Sequence, residues 1–304
     1  MAKKSKRGSG PRPGSNRAER VAARKERQAQ ATAPLFRPFA GIAAECDLVA
    51  LRAFVASATA ELPLTAPGTN PVRLVTVLPG AGPALVREES GAAVGLVALQ
   101  TQPEHEEPGA ALAAAIRWAT EGAAGETLSE VDIAEAGALE DVLDPAAALD
   151  ITVHNDFNWW IEGQENPAPQ ITAMIEQANA SIMPTARLAG DFVGAPWWVD
   201  AGERAHLRWI RPEPEDDVMA ALARVHASGG LTLGEGSRFA GSFRTHGLLV
   251  PVFDLDRELH PTEWTAGVET FNNRLNEALA SDAELTSDER RSRDGIRARQ
   301  VTLR

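Results

Sequence analysis

The clearest alternation of apolar and polar positions lies in residues 237–256, SRFAGSFRTHGLLVPVFDLD, where a Gly-rich entry leads into the most strand-like run of the chain. Three shorter apolar runs, at 73–78, 84–88 and 94–99, are separated by turns that contain Gly or Pro. Short runs of this kind predict β-strands, and the polar EESGAA segment between the last two predicts a hairpin. Residues 150–162, DITVHNDFNWWIE, predict a further strand.

Helical spacing of apolar residues occurs in four stretches, at 45–58, 109–120, 170–181 and 218–226. Near the C-terminus, TSDE at 286–289 has the pattern of a capping box and predicts the start of an Arg-rich helix. Strands and helices are therefore mixed along the chain. This order predicts an α+β fold built from small, mainly antiparallel sheets with flanking helices.

Two parts of the chain share an order of elements, which suggests an internal duplication. The order strand, polar turn, strand, acidic proline loop and helix begins at Pro83 and again at Ala195. A period of about 100 to 115 residues is far longer than that of a solenoid and predicts two similar lobes, although generic strand–helix grammar would explain the likeness equally well. The predicted organisation is a disordered basic tail at 1–33, lobe one at 34–184, lobe two at 185–285 and a C-terminal Arg-rich segment at 286–304.

Composition places the 304-residue chain among ordinary soluble proteins, with 44% hydrophobic and 24% charged residues. No apolar run approaches the roughly 20 residues that cross a bilayer, and the N-terminus lacks the apolar segment of a secretory signal. The single cysteine, Cys46, is expected to be a small core residue. These features predict a cytoplasmic protein without membrane insertion.

The net charge of −12 is unevenly distributed. Residues 1–34 contain ten Lys and Arg against two Glu, a balance of +8, so the remaining 270 residues carry −20. Such a tail suits a polyanion such as nucleic acid or a ribosome, and it equally suits solubility or contact with the acidic body. The tail cations are Lys3, Lys4, Lys6, Arg7, Arg12, Arg17, Arg20, Arg24, Lys25 and Arg27.

Five of the seven tryptophans lie in the middle of the chain, at positions 159, 160, 197, 198 and 209. Neighbouring residues on a strand point to opposite faces, so we expect one ring of each adjacent pair to enter the core. Core packing is the simpler interpretation of these rings. A ligand platform or partner surface in a cleft between the lobes is the alternative.

No catalytic constellation is recognised. Gly234, Gly236 and Gly241 lack the spacing of a phosphate-binding loop, and a strand follows them where a helix should begin. On an extended run, Ser242 and His246 are roughly 13 Å apart, too far for a nucleophile and its base unless a turn intervenes. The acidic loop at 104–107 is explained by the helix that follows it. No catalytic residue, metal site or cofactor is therefore assigned.

The segments SFRTHGLLVPVFDL, ELTSDERRSRDGIRARQVTL and RPFAGIAAECDLVALR together resemble an uncharacterised actinobacterial family, a domain of unknown function, from about Arg37 to the C-terminus. Some members of that family are similar to proteins with an N-terminal SEC-C zinc motif. The corresponding region here is the basic tail, which has no cysteine, so the resemblance implies neither zinc binding nor a link to secretion for this chain.

The leading hypothesis is a non-catalytic binding or adaptor protein that contacts RNA, ribosome or another protein through the tail and an inter-lobe surface. The alternative is a small-molecule enzyme or sensor that uses a cleft near Arg244, His246 and Asp254. The candidate binding residues are Arg238, Arg244, His246, Asp254, His154, Asp156, Trp160, Trp198 and Trp209.

Overall fold

The computed structural model of the chain describes residues 36–134, 136–162 and 166–302. The predicted basic tail at 1–33 therefore lies outside the described residues. The described residues form six α-helices and twelve β-strands. The helices are α1 (Glu45–Ala53), α2 (Pro108–Glu121), α3 (Pro169–Ala180), α4 (Glu215–Ala227), α5 (Thr265–Leu279) and α6 (Ser287–Arg297).

The first sheet is built from the strands of the first half of the chain. They are β1 (Ala58–Glu61), β2 (Val72–Val75), β3 (Ala84–Glu89), β4 (Ala92–Ala98), β5 (Thr127–Leu128) and β6 (Ile151–Val153). Their order is β5-β3-β4-β2-β1-β6, and every pair is antiparallel except β2 with β4. The predicted β3–β4 hairpin is confirmed. The two edge strands are very short, which limits the unpaired backbone that the sheet exposes.

The second sheet contains β7 (Thr185–Arg187), β8 (Ala195–Asp200), β9 (Ala205–Ile210), β10 (Arg238–Thr245), β11 (Leu248–Leu255) and β12 (Gln300–Thr302). Their order is β12-β10-β11-β9-β8-β7, with β10 and β12 parallel and the other pairs antiparallel. The run at 237–256 is thus two strands of a hairpin. Its two-residue turn is His246–Gly247, with φ angles of 48° and 77°, as a type I′ turn requires.

Both faces of the second sheet are covered, and the alternation along its strands shows how. Leu248 and Val250 of β11 face a core shared with the first sheet, whereas Leu249 and Phe253 face α4, α5 and α6. The adjacent tryptophans of β8 lie on opposite faces of the sheet, but both rings are buried, so the expectation that only one of them enters a core does not hold. Trp197 enters the shared core and Trp198 enters the core on the helix side.

The shared core lies between the two sheets and includes the apolar residues of α1 and α2. A second core lies between the outer face of the first sheet and α3. A third lies under α4 and α5, where Val268, Phe271 and Leu275 repeat every three to four residues along α5. The layers follow one another as α3, the first sheet, α1 with α2, the second sheet, and α4 with α5 and α6. The central core contains residues of both sheets, so it does not separate the chain into two lobes at residue 184. The lobe boundary remains a prediction.

Two expectations about local structure were wrong. Trp159 and Trp160 lie in a short 3-10 helix, Asn158–Ile161, and not on a strand, because β6 ends at Val153. The helix predicted at 45–58 ends at Ala53, where Phe54 adopts an extended φ of −157°. The chain then turns into β1, whose sequence ATAE carries little apolar signal.

The predicted α+β fold with two mainly antiparallel sheets is confirmed, but the internal duplication is not. The β3–β4 hairpin and the β8–β9 hairpin are each followed by a helix, as expected. Their surroundings differ, because β4 pairs with the parallel strand β2 and β9 pairs with the antiparallel strand β11. The two hairpins are therefore alike in local order but differ in the strand that pairs with each of them.

Candidate functional site

A cleft of about 520 Å³ lies where the end of α1, the loop that follows β4 and the β10–β11 turn meet. These three segments are distant in sequence and belong to different layers of the fold. The residues that line the cleft are Arg52, Ala53, Val77, Ala81, Gln100, Thr101, Gln102, Glu104, His105, Pro108, Thr245 and His246. Eight of these twelve side chains are polar or charged, so the cleft offers several hydrogen-bonding groups to a ligand.

Arg52 provides the positive charge of the cleft. Its side chain is only 8% exposed. The Nε–H group donates to His246 Nε2 over 2.9 Å, and an Nη1 hydrogen is donated to the Leu99 carbonyl. A cation in the last turn of α1 is also favoured by the helix dipole. The guanidinium is therefore fixed in orientation by neutral acceptors.

His246 is neutral at pH 7 because its pKa is lowered to about 4, first by burial and then by the charge of Arg52. Nε2 accepts the hydrogen bond from Arg52, so the ring proton lies on Nδ1, which is 2.8 Å from Thr245 Oγ1. Phe39 stacks on the imidazole with a ring separation of 6.4 Å. The turn, the threonine and the phenylalanine together hold the ring in one position.

The loop after β4 supplies the remaining polar groups. Gln100 donates from Nε2 to the carbonyls of Leu51 and Val55, at 2.6 and 2.9 Å, and so satisfies acceptors at the end of α1. Glu104 Oε2 is 3.6 Å from Arg52 Nη2, and its side chain is 81% exposed. The cleft thus combines a buried cation, Arg52, with an exposed acidic side chain, Glu104.

The predicted grouping of Arg244, His246 and Asp254 is not what the geometry shows. His246 is at the turn of the hairpin, while Asp254 is six residues along β11, or roughly 20 Å away at the rise of a strand. Asp254 is paired instead with Arg238 at 2.5 Å, and His206 Nδ1 is 3.2 Å away. Arg244 forms an ion pair with Glu215 at the start of α4. Only His246 lines the cleft.

The other predicted binding residues form hydrogen bonds or packing contacts within the fold and do not line the cleft. His154 Nε2 is 2.9 Å from Thr59 Oγ1, and burial lowers its pKa. Asp156 accepts from Asn158. The three tryptophans are buried: Trp160 and Trp209 donate to the carbonyls of Val77 and Val193, and Trp198 packs in the helix-side core. Their role as binding residues remains a prediction, and these contacts favour core packing.

Two charged cleft residues, Arg52 and Glu104, were not among the binding residues predicted from the sequence. Arg52 lies within a stretch predicted as a helix, where an arginine is unremarkable. Glu104 belongs to a loop whose acidic residues were attributed to the helix dipole. The signal that joins them is three-dimensional, because Arg52 and its partner His246 are 194 positions apart.

The single cysteine is unreactive. Cys46 is buried, and burial together with Glu45 and Asp47 raises the pKa of its thiol to about 12, so it remains protonated. Across the described ranges, no three His, Cys, Asp or Glu side chains converge on one point that would hold a metal ion. In those ranges, too, each helix is too short or too polar to traverse a lipid bilayer.

The fold and the cleft define an α+β protein with two sheets and a polar cavity between them. Comparison with known families places it further. A family model described as a family of unknown function (DUF5926) matches residues 38–304, and the chain belongs to that family. No curated protein and no solved structure matches the chain.

Proposed function

We propose that this protein is a non-catalytic binding protein that takes a small polar molecule in the cleft between its sheets. The observation that carries the proposal is the fixed Arg52 guanidinium at the floor of that cleft. Burial of a charge is unfavourable unless the charge is paired. Buried charges with incomplete pairing are therefore concentrated at binding and catalytic sites, where a ligand can supply the missing partner.

The dimensions of the cleft support this function. Small-molecule sites usually measure about 300 to 1,000 Å³ and contain a few converging polar groups, and a cleft of about 520 Å³ is within that range. Two parts of its wall, the end of α1 and the two-residue hairpin turn, hold Arg52 and His246 in place through the hydrogen bond between them. A ligand would therefore find the polar groups already oriented.

Binding is favoured over catalysis by the state of the groups present. His246 is the natural general base of the cleft, yet its Nε2 already accepts from Arg52 and its Nδ1 is bonded to Thr245. The hydroxyl of Thr101 donates to the Pro103 carbonyl at 3.3 Å. The His246 imidazole and the Thr101 hydroxyl are thus committed to structural hydrogen bonds.

A thermal-shift screen of small metabolites tests the proposal with two tryptophan variants. Ala53 is exposed at the end of α1 and lines the cleft, so Ala53→Trp fills the cleft without disturbing the core. Ala173→Trp is the matched control, since Ala173 is an exposed helical alanine of α3 outside the cleft. A ligand at a hundred times its Kd stabilises by about 2.7 kcal/mol, which corresponds to several degrees in Tm.

The expected result is a compound that raises the Tm of the wild type and of Ala173→Trp but not that of Ala53→Trp. A compound that stabilises all three proteins equally binds elsewhere and contradicts the proposal. The same conclusion follows if no member of a broad metabolite set shifts the wild type.

A second candidate function concerns the basic tail. Its balance of +8 beside a body of −20 is an asymmetry that suits a cytoplasmic polyanion such as RNA or the ribosome. On this proposal the tail supplies a salt-dependent contact, and the inter-lobe surface supplies the specific one to a macromolecular partner. The two functions are compatible, because the tail cations and the cleft residues do not overlap.

A further inference from the structure

We infer that the ligand of the cleft carries a carboxylate group, and that this group takes the place of the Glu104 carboxylate on the Arg52 guanidinium. The inference rests on the proposed function, since it names the ligand class of the same cleft. It is carried by the contrast between a cation that is 8% exposed and the carboxylate beside it, which is 81% exposed. Among the described residues, Glu104 is the one carboxylate that forms an ion pair with Arg52.

The ion pair between Arg52 and Glu104 is loose. The distance from Nη2 to Oε2 is 3.6 Å, whereas charge-assisted hydrogen bonds measure about 2.7 to 2.9 Å. Arg187 and Asp47 show what a well-made pair looks like in the same fold, with two bonds of 2.7 and 3.0 Å. A carboxylate that approached Arg52 as closely would gain an interaction that Glu104 does not make.

The guanidinium keeps its position without Glu104. Its Nε–H is held by His246 and an Nη1 hydrogen by the Leu99 carbonyl, and neither contact involves Glu104. Arginine presents a planar fork of donors that matches a carboxylate in geometry. The site is therefore preorganised for a planar anion, and the departure of Glu104 leaves the fork in place.

Burial strengthens the attraction for an incoming anion. Burial lowers the pKa of Arg52, and Glu104 opposes that shift only in part. The Glu104 carboxylate thus offsets only part of the effect of burial on the Arg52 charge. Since electrostatic attraction grows as water is excluded, a carboxylate seated in the cleft would be attracted to Arg52 more strongly than the solvated Glu104 is.

Glu104 consequently acts as an internal competitor. Its exposed side chain loses little when it swings into solvent, because exposed ion pairs contribute little to stability. It also selects among ligands, since a neutral molecule would have to displace a carboxylate without replacing its charge. The loop that carries Glu104 lies between β4 and α2, at the mouth of the cleft.

The test is a titration of the full chain with succinate, followed by ¹H–¹⁵N NMR of the Arg52 Nε–H group and of the His246 and Gly247 amides. Potassium chloride at equal ionic strength provides the reference. Glu104→Gln keeps the size of the side chain and removes its charge. We expect succinate to shift these signals in the wild type and its Kd to fall by roughly threefold or more in Glu104→Gln.

The matched control is Glu106→Gln, which removes the same charge from the same loop at a side chain that does not line the cleft. An equal gain in affinity in Glu106→Gln would attribute the effect to net charge and overturn the competitor role. Inorganic phosphate that binds as tightly as succinate would overturn the carboxylate class. If succinate moves none of these signals in either protein, the carboxylate inference fails, while the Ala53→Trp experiment still judges the cleft by itself.

Discussion

At the scale of single residues, the cleft depends on the hydrogen bond between Arg52 Nε and His246 Nε2. His246 was a candidate from the sequence, because it is one of the charged or polar side chains within the strand-like run at 237–256. Arg52 was not, because its neighbours predict only a helix. A side chain whose importance comes from a partner 194 positions away leaves no local pattern, so this half of the site required the fold.

The lowered pKa of His246 predicts how stability changes with pH. Unfolded, the imidazole takes up a proton near pH 6.5, whereas in the fold it does so only near pH 4. Between these values the unfolded state binds more protons, so the folded state loses stability as pH falls from 6.5 to 4. Arg52 disfavours the protonated ring directly, and Glu104 and His105 are the other titratable groups lining the cleft.

His246→Asn tests this contribution, because asparagine tolerates a positive φ and Asn–Gly suits a type I′ turn. Urea unfolding at several values between pH 7 and pH 4 should show a shallower loss of stability in the variant than in the wild type. His226→Asn, which removes an exposed imidazole outside the cleft, is the matched control for the substitution itself. Parallel pH curves for His246→Asn and the wild type would show that His246 titrates normally.

At the scale of elements, segments with clear apolar periodicity or capping residues were predicted correctly, whereas the shortest strands were not predicted at all. The β3–β4 hairpin, α2, α3, α4 and the Thr286 capping box of α6 all follow from apolar spacing or capping residues. β5, β7 and β12 have two or three residues each and exist because a neighbouring strand offers backbone partners. Strands of that length have no period to detect.

Two glycines, one in β10 and one in α6, predict opposite outcomes for substitution by alanine. Gly241 has a φ of +148° at a bulge, and an added Cβ would lie 2.8 Å from the Arg299 carbonyl oxygen. Gly241→Ala should therefore lower the free energy of unfolding by about 1 to 3 kcal/mol. Gly295 lies in α6 with nothing within 4 Å of an added Cβ, so Gly295→Ala should raise it by about 0.5 to 1 kcal/mol.

Urea denaturation of both variants beside the wild type measures these two changes. The pair controls for the mere addition of a methyl group, since each variant replaces glycine by alanine. A Gly241→Ala protein as stable as the wild type would mean that β12 moves away from the bulge at little cost. A Gly295→Ala protein that is less stable would mean that α6 is strained at that position.

At the scale of the whole molecule, the sequence predicted the class of fold but not its assembly. Local order along the chain indicated two mainly antiparallel sheets, and these are present. The sequence did not indicate that α1 and α2 would lie between the sheets, or that β4 and β9 would have different neighbours. The order of strands and layers depends on contacts between segments that are far apart in the chain. Such contacts leave no local pattern in a single sequence.

The charge asymmetry of the molecule yields a prediction about the basic tail. A chain that lacks residues 1–33 should keep the Tm of the full chain, because each core described begins at Phe39 or later. Fluorescence anisotropy with poly(U) RNA should show binding by the full chain only. If five phosphates are neutralised, affinity should fall by roughly a hundredfold between about 50 and 200 mM salt.

A full-length variant with the ten tail cations replaced by glutamine separates charge from chain length and should bind as weakly as the truncated protein. The acidic body, at −20, disfavours RNA, so we expect the affinity of the full chain to arise in the tail. RNA binding that survives both the truncation and the glutamine variant would locate the contact in the body. The tail would then serve solubility, and the cleft would be the part of the molecule that carries its function.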